Sequence, residues 1–420
     1  MAKAKIALTA IITAIFLAGI IFPIGCARGS SAADSVPVVS EERSDELIEN
    51  LDRSLVDANT RFAFNIFREL VIEDKDQNIF ISPLSILLAL AMTYNGAAED
   101  TSLAMADAME FSGMDLEELN QGFGDLMVSI LNADSEVEMS IANSIWQRMD
   151  FDAKEDFIDI NKKYYNSGVR KLDFSDPKAV DTINDWISDA TKEKITEMLD
   201  ETPPTVVMYL INAIYFKGDW TYPFEEAATH DDDFYLEDGS TKKVPMMNIQ
   251  EHFQYGRGDD YAVIRLPYGQ EKFSMYIVLP DEGTAIDSIV GSLDEEKWNG
   301  ITGSLSDSEV ILAMPKYKME YGVKLLNDSL TDLGMGIAFG PGADFSGISE
   351  GIFISKVIHK AVIEVNEKGS EAAAATVVAM AESAMVADEM VEFIVNRPFI
   401  FTISDDRTGS ILFMGKVMEP

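Results

Sequence analysis

Apolar positions in the first third of the chain recur at helical spacing. Phe62, Ile66, Phe67 and Leu70 fall on one face of a helix. Ser82-Pro83 opens a second apolar stretch through Leu84, Ile86, Leu87, Leu88 and Leu90, with proline at an early helical position. Past about residue 200 the pattern turns to short β-branched and aromatic runs, Val206 to Phe216, Phe273 to Leu279 and Phe399 to Ile403, which predict strands. Helices first and strands later predict an α+β fold with antiparallel or mixed sheets. No Pro/Gly/Ser-rich linker and no internal repeat divides the chain after Leu51, so one domain is expected over residues 51–420.

One segment fits neither pattern. Glu367 to Val378 begins as polar turn material, passes through four alanines, Ala372 to Ala375, and ends in Thr-Val-Val. Alanine favours helix, whereas Thr and Val favour the sheet. Such a segment is an amphipathic helix, a linker, or an element that adopts two structures.

The N-terminus carries a second signal. Lys3 and Lys5 precede an apolar run from Ile6 to Gly25. Lysines, an apolar segment and then small residues form the pattern of a secretory signal over residues 1–25. At about 20 residues the run is also long enough for an uncleaved membrane anchor. Cys26, the only cysteine, follows directly and resembles a lipoprotein processing site, although Pro23 stands where such sites usually carry an aliphatic residue. Lipidation at Cys26, an uncleaved anchor and simple secretion all place the folded part outside the cytoplasm, at the cell surface or beyond. Residues 26–50 are small, polar and charged, and read as a flexible tether that becomes helical towards Leu47.

With 420 residues, 47% of them hydrophobic, the chain can build a large core. The 72 acidic residues against 33 basic ones give a formal charge of -39. Phosphate backbones and anionic membrane surfaces need clustered Lys and Arg, so nucleic acid is excluded as a partner, and membrane contact is expected only through the N-terminal segment. With a single cysteine the mature domain has no internal disulfide and no cysteine-ligated zinc site.

Catalytic constellations are missing. His230, before Asp231-Asp232-Asp233, reads as a solvated turn, His252 as surface or packing, and His359, after the strand-like Ile352-Phe353-Ile354, as a buried hydrogen-bonding group. No zinc-protease helix, nucleophile elbow or phosphate-binding glycine loop appears. No metal, no cofactor and no enzymatic activity are expected.

Several phrases together resemble the serpins, a family of suicide-substrate protease inhibitors. They are Asn78 to Ile86, Leu210 to Trp220, Met314-Pro315-Lys316-Tyr317, Asp344 to Ile348, Asn396-Arg397-Pro398-Phe399 and Ile411 to Val417. The matches run in order from about residue 55 to the C-terminus. The resemblance implies helices plus three β-sheets, with an exposed reactive-centre loop over about 367–395 that enters the large central sheet when a protease cleaves it. The expected partner is a target serine protease, held covalently by a monomeric inhibitor.

It also assigns residues. Glu367, Gly369, Ser370, Glu371, Ala372, Ala373, Ala374, Ala375 and Thr376 match the hinge of that loop. Alternate residues of an inserted strand must enter the interior, which alanines permit and charges do not, and Gly369 is expected to act as a backbone pivot. About fifteen inserted residues would span about 50 Å. Ser82, Ser85, Asn212 and His359 match a shutter cluster beneath the sheet, and Lys316, Trp220 and Glu367 match a breach cluster at its top. Counting forward from Glu367 places the reactive bond at Ser383-Ala384. Counting back from Pro398-Phe399 places it near Ala387, and Met385 and Val386 lie between. No Arg or Lys stands between Lys368 and Arg397, so elastase-like or subtilisin-like targets are expected rather than trypsin-like ones. Ala97-Ala98-Glu99-Asp100 is acidic where heparin-activated relatives are basic, so no heparin-like activator is expected. The alternative is a non-inhibitory serpin that binds or supports, but such members carry bulky, charged or proline residues in the hinge.

Overall fold

Oxygen-bearing side chains set where the N-terminal helices begin. The computed structural model describes residues 36–370 and 390–420. Ser40 caps α1 (Glu41–Glu49), Asp52 caps α2 (Arg53–Glu73), and Ser82, behind the short strand β1 (Ile79–Ile81), caps α3 (Pro83–Tyr94). Helices α4 (Glu99–Ala108) and α5 (Leu116–Leu131) follow, the latter capped by Asp115. Strands then alternate with helices: β2 (Val137–Arg148), α6 (Glu155–Tyr165), β3 (Gly168–Leu172), α7 (Ala179–Ala190) and β4 (Met208–Asp219). The second half is mainly strand: β5 (His230–Tyr235), β6 (Thr241–Arg257), β7 (Tyr261–Tyr268) and β8 (Phe273–Pro280). After α8 (Ile286–Ser292) and α9 (Glu295–Gly303) come β9 (Ser306–Pro315), β10 (Tyr317–Leu325) and α10 (Asn327–Asp332). The chain closes with β11 (Ile358–Asn366), β12 (Gly369–Ser370), β13 (Val391–Ile394), β14 (Phe399–Asp405) and β15 (Ile411–Val417).

Hydrogen bonding gathers these strands into two sheets. One runs β1-β15-β14-β8-β7-β6-β9-β13, with β5 also paired to β6; the other runs β10-β11-β12-β4-β2-β3. The resemblance implied three sheets; here β6, seventeen residues long, pairs β5, β7 and β9 and so joins into one what would otherwise be two. Both sheets mix parallel and antiparallel pairs, as β13 on β9 and β2 on β3 show. Between them lies a core that includes Phe80, stacked on Phe401 and Phe413, and Phe216. Helix α3 is apolar nearly all round and correspondingly buried, packed on β4 and β15.

The order of elements departs from the sequence pattern in two places. Strand β2 falls among the helices of the first half, because Val137 to Arg148 alternates too weakly to stand out. Ile352-Phe353-Ile354 is not a strand, and the ladder starts at Ile358.

The tether expected over residues 26–50 is also corrected over its described part. Residues 36–50 dock on the domain through hydrogen bonds that composition does not display. The Ser44 hydroxyl donates to Ser129 O at 2.9 Å and the Ser129 hydroxyl returns a bond to Ser44 O. Asn132 brackets the approach, accepting from Val39 N and donating to Pro37 O. Arg407, held by the fully buried Asp405, donates to Ser44 Oγ and Asp45. Cys26 and residues 1–25 lie outside the described residues. Among the described residues no helix is long and apolar enough to cross a membrane.

Candidate functional site

The six-stranded sheet contains a seam. β11 turns back through Glu367-Lys368, with Lys368 N donating to Asn366 Oδ1, and β12 pairs Ser370 with Val365 and Gly369 with Asn366. On its other edge the same two residues pair with Gly218 and Asp219 of β4, again antiparallel. β4 and β11 therefore run parallel, bridged at one end by two residues. Among the described residues they share no ladder pair of their own. Beneath β12 the seam holds a small cavity of about 40 Å³ touching Ile214, Ala361, Phe80 and Phe413. Farther down it opens into one of about 550 Å³, which reaches Asn212 and His359.

The upper end is held by charge and stacked rings. Glu367 is buried, and its carboxylate accepts from Lys316 Nζ at 2.8 Å and from Thr229 Oγ1 at 2.9 Å. Burial opposes its ionisation, but the Lys316 bond, its own backbone and Thr229 prevail and hold the carboxyl below its ordinary range. Trp220 Nε1 donates to Asn366 O, and the indole stacks on Tyr268 at 4.4 Å between centroids. The Tyr268 hydroxyl meets Ser370 Oγ at 2.6 Å, fixing the first strand residue that faces inward. Backbone bonds from Trp220 N to Lys368 O and from Phe224 N to Glu367 O complete the attachment.

Gly369, expected as a pivot, also meets a packing need. Its backbone is not left-handed. A Cβ there would fall 2.1 Å from Gly218 O and 2.7 Å from Asp219 Cα, so glycine is required for β12 to approach β4.

The lower end is neutral. Ser82 Oγ caps α3 by accepting from Ser85 N and donates to Leu412 O at 2.7 Å, while Ser82 N donates to His359 Nε2 at 3.1 Å. Ser85 Oγ donates to Asn212 Oδ1, Asn212 Nδ2 to Asn143 Oδ1 at 2.7 Å, and Asn143 Nδ2 to Tyr165 O at 2.7 Å. These bonds tie α3, β15, β11, β4 and β2 together. Burial pushes the His359 imidazole down to about 4, and an accepting Nε2 requires the uncharged ring.

The structure thus gathers Ser82, Ser85, Asn212 and His359 in one cluster and Lys316, Trp220 and Glu367 in another. Asn143, Thr229 and Tyr268 join them without any motif: Asn143 is one of several polar residues of β2, Thr229 lies in an irregular segment and Tyr268 ends an apolar strand, so the sequence does not single them out. Glu371 to Thr376 and the candidate bond residues Ser383, Ala384, Met385, Val386 and Ala387 lie outside the described residues. His230 begins the exposed strand β5 rather than a turn, and exposed His252 pairs with Asp307 at 3.0 Å. Among the described residues no group of His, Cys, Asp or Glu is arranged to hold a metal ion.

A large mixed sheet with a seam between parallel strands, held above and below by buried polar clusters, is the frame that the resemblance implied. The chain belongs to the serpin family. The family model described as "Serpin (serine protease inhibitor)" matches residues 57–420. Leukocyte elastase inhibitor of Bos taurus is 38% identical over 377 residues, covering 86% of this chain and 98% of that protein. An uncharacterized serpin-like protein of Thermococcus kodakarensis is 34% identical over 397 residues, covering 93% of this chain and 92% of that one. The crystal structure of the thermophilic serpin tengpin in its native state matches with a TM-score of 0.81 and 33% identity, covering 92% of this chain and 97% of that one. Serpins are in general protease inhibitors that pair with target proteases rather than catalysts.

Proposed function

We propose that this serpin is an inhibitor of the suicide-substrate type. A serine protease attacks the carbonyl of the scissile residue in the loop, best placed at Ser383, and the peptide bond to Ala384 breaks with the new amine leaving. The acyl-enzyme is then carried away before water can hydrolyse it, as the hinge enters the seam between β4 and β11.

The observation that carries this reading is β12 itself: two hinge residues are already paired on both edges, and among the described residues β4 and β11 are not bridged below them. Continuing both registers gives one consistent answer. Ala374 would lie opposite Ile214 and Ala361, and Thr376 opposite Asn212 and His359, so the inserting strand would reach the lower cluster six residues after Ser370. Because Ser370 faces inward, Ala372, Ala374 and Thr376 would face inward too, and Glu371 outward. Small residues would then occupy the buried face and the charge of Glu371 the other.

The loop's lack of basic residues and the likeness to leukocyte elastase inhibitor support targets with small apolar pockets, of elastase or subtilisin type. The N-terminal apolar run and Cys26 support a secreted or surface-anchored monomer. Incubation of the chain with elastase and subtilisin tests the function: a complex that survives denaturing electrophoresis is expected. Cleavage in the loop with no such complex, and with full protease activity retained, would count decisively against it.

A further inference from the structure

We propose that the cavity of about 550 Å³ at the lower end of the seam is a binding site for an uncharged, apolar small molecule, and that its occupancy opposes hinge insertion. The coupling half of this proposal rests on the insertion reading; the binding half does not.

The volume is that of pockets that enclose drug-sized ligands. One face of α3, through Ile86, Ala89 and Leu90, lines it together with Leu210 of β4, and Ile348 and Ile352 line it from the segment before β11. Val323, Leu325 and Phe353 line it as well, although 47%, 47% and 49% of their surface is exposed. Three large apolar side chains of the lining left half in water mark a surface that gains by being covered.

The chemistry of the ligand follows from the polar groups. Ser85 and Asn212 bond each other and Asn143, Thr93 Oγ1 donates to Ala89 O, and His359 Nε2 accepts from Ser82 N. The side chains of the inner end therefore ask little of a ligand by way of hydrogen bonds, and the backbone edges of β4 and β11, which share no ladder pair among the described residues, leave room for a few uncharged polar atoms on it. Its charged lining is Asp200, Glu201 and Lys356, with Lys356 Nζ 3.9 Å from Glu201. The two carboxylates leave a local negative excess, which disfavours anions such as fatty acids. An apolar molecule without charge fits.

The cavity's place gives it a consequence. It borders Met208 to Asn212 of β4 and Ile358-His359 of β11, the rows that Thr376 to Met380 would occupy on insertion. A molecule there leaves the first hinge rows open and obstructs the later ones. The protease would then be acylated but not carried far, and deacylation would release it.

The test uses the full-length chain and the uncharged dye Nile red, with the anionic dye ANS as a second arm. Saturable Nile red binding is expected, with ANS weaker. Ala89→Phe and Leu210→Trp, each confirmed to be folded by circular dichroism, fill the space from opposite walls and should lower the affinity by about tenfold or more. Any dye taken up by the apolar N-terminal run is common to all variants and cancels in the comparison. Nile red should also raise the number of inhibitor molecules consumed per protease several-fold and lose its site after loop cleavage. Affinity unchanged in both variants, or ANS binding as tightly as Nile red, overturns the site. Binding that leaves the stoichiometry unmoved, or survives loop cleavage, overturns the coupling. If no covalent complex forms even without dye, the inhibitory reading fails, while the dye affinities still decide the site.

Discussion

The two ends of the seam between β4 and β11 are built from opposite materials. At the top, Glu367 and Lys316 form an ion pair beside the stacked rings of Trp220 and Tyr268. At the bottom, Ser82, Ser85, Asn143, Asn212 and His359 form a neutral network with no ionised group in it. The ion pair is the weaker fastening. Lys316 is 44% exposed, so water screens the attraction. The neutral network is buried, and parting it strands donors and acceptors where no water waits, at about 1–3 kcal/mol for each group left unpaired. The strand has already started at the top, and the resistance to continuing it sits at the bottom. A seam closed by charges would open under salt or acid; one closed by neutral buried groups opens when something supplies replacement partners. In the proposed inserted register Thr376 arrives between Asn212 and His359, with a hydroxyl that offers such partners.

The largest expected effect tests whether the seam accepts a strand in that register. Ala374→Arg would drive a guanidinium beside Ile214, Phe80 and Phe413, where burial strips its hydration. Covalent complex should disappear on denaturing gels, leaving a substrate. Ala373→Arg makes the same chemical change on the outward face, beside Tyr215 and Val362, and should retain part of the complex. Equal losses, or the reverse order, would show that the hinge enters in another register or not at all.

Acid should attack the bottom of the seam first. His359 has a pKa of about 4 in the folded protein against an ordinary 6.5. Between those values the unfolded chain binds a proton that the folded one refuses, so stability rises with pH across the window. It is complete above about 6.5, lost as pH falls towards 4, and worth at most about 3 kcal/mol. Denaturant unfolding at intervals from pH 7 to 4 measures the slope, and His359→Gln should flatten it. An unchanged slope in that variant would mean that His359 is not held neutral. A smaller loss, about 2 kcal/mol at pH 7, is expected for Asn212→Ala, which leaves Ser85 Oγ and Asn143 Oδ1 without the partners they have here. The same variant should convert spontaneously to an inactive form faster than the parent. Unfolding midpoints and timed loss of inhibition read the two effects separately.

How much of this was legible in the sequence varies with the range of the interaction. Ser82-Pro83 announces the start of α3 because a cap and an N1 proline are local devices. The strands β4, β8 and β14 are equally local, read from β-branched and aromatic runs. The residues of both clusters came from collinear phrases of a family, which point to positions without stating the bonds made there. Asn143 was not legible, since its importance lies in standing across the ladder from Asn212, sixty-nine residues away. The docking of α1 was hidden for a similar reason. Ser44 looks like tether composition until Ser129 and Arg407 are seen against it. Gly369 was legible as a special position but not for its packing, because a glycine that lets backbone approach backbone is spelled the same as one that lets backbone swing. Ile352-Phe353-Ile354 misled by hydrophobicity alone: its side chains line the lower cavity without joining a ladder.

The smallest effect is the most discriminating for the ion pair. Lys316→Met keeps the aliphatic stem that covers the top of the seam and removes only the charge. Glu367 then retains Thr229 and the backbone, while its burial is unchanged. Exposure of Lys316 limits the expected loss at neutral pH to about 1 kcal/mol or less. The sharper signature is in acid. A carboxyl held below its ordinary value contributes stability above that value and loses it as pH falls through the folded one. Without Lys316 the burial of Glu367 is less opposed, so its pKa rises and the acid loss begins at higher pH. The Lys316→Met curve should therefore part from the parent's as pH falls into the range around the ordinary glutamate value of 4.5, at the lower end of the window in which His359 acts, and should do so equally in a His359→Gln background. If Asn212→Ala or His359→Gln abolishes the difference between the two curves, then the top and bottom of the seam are one coupled device, and the division of labour between them does not hold.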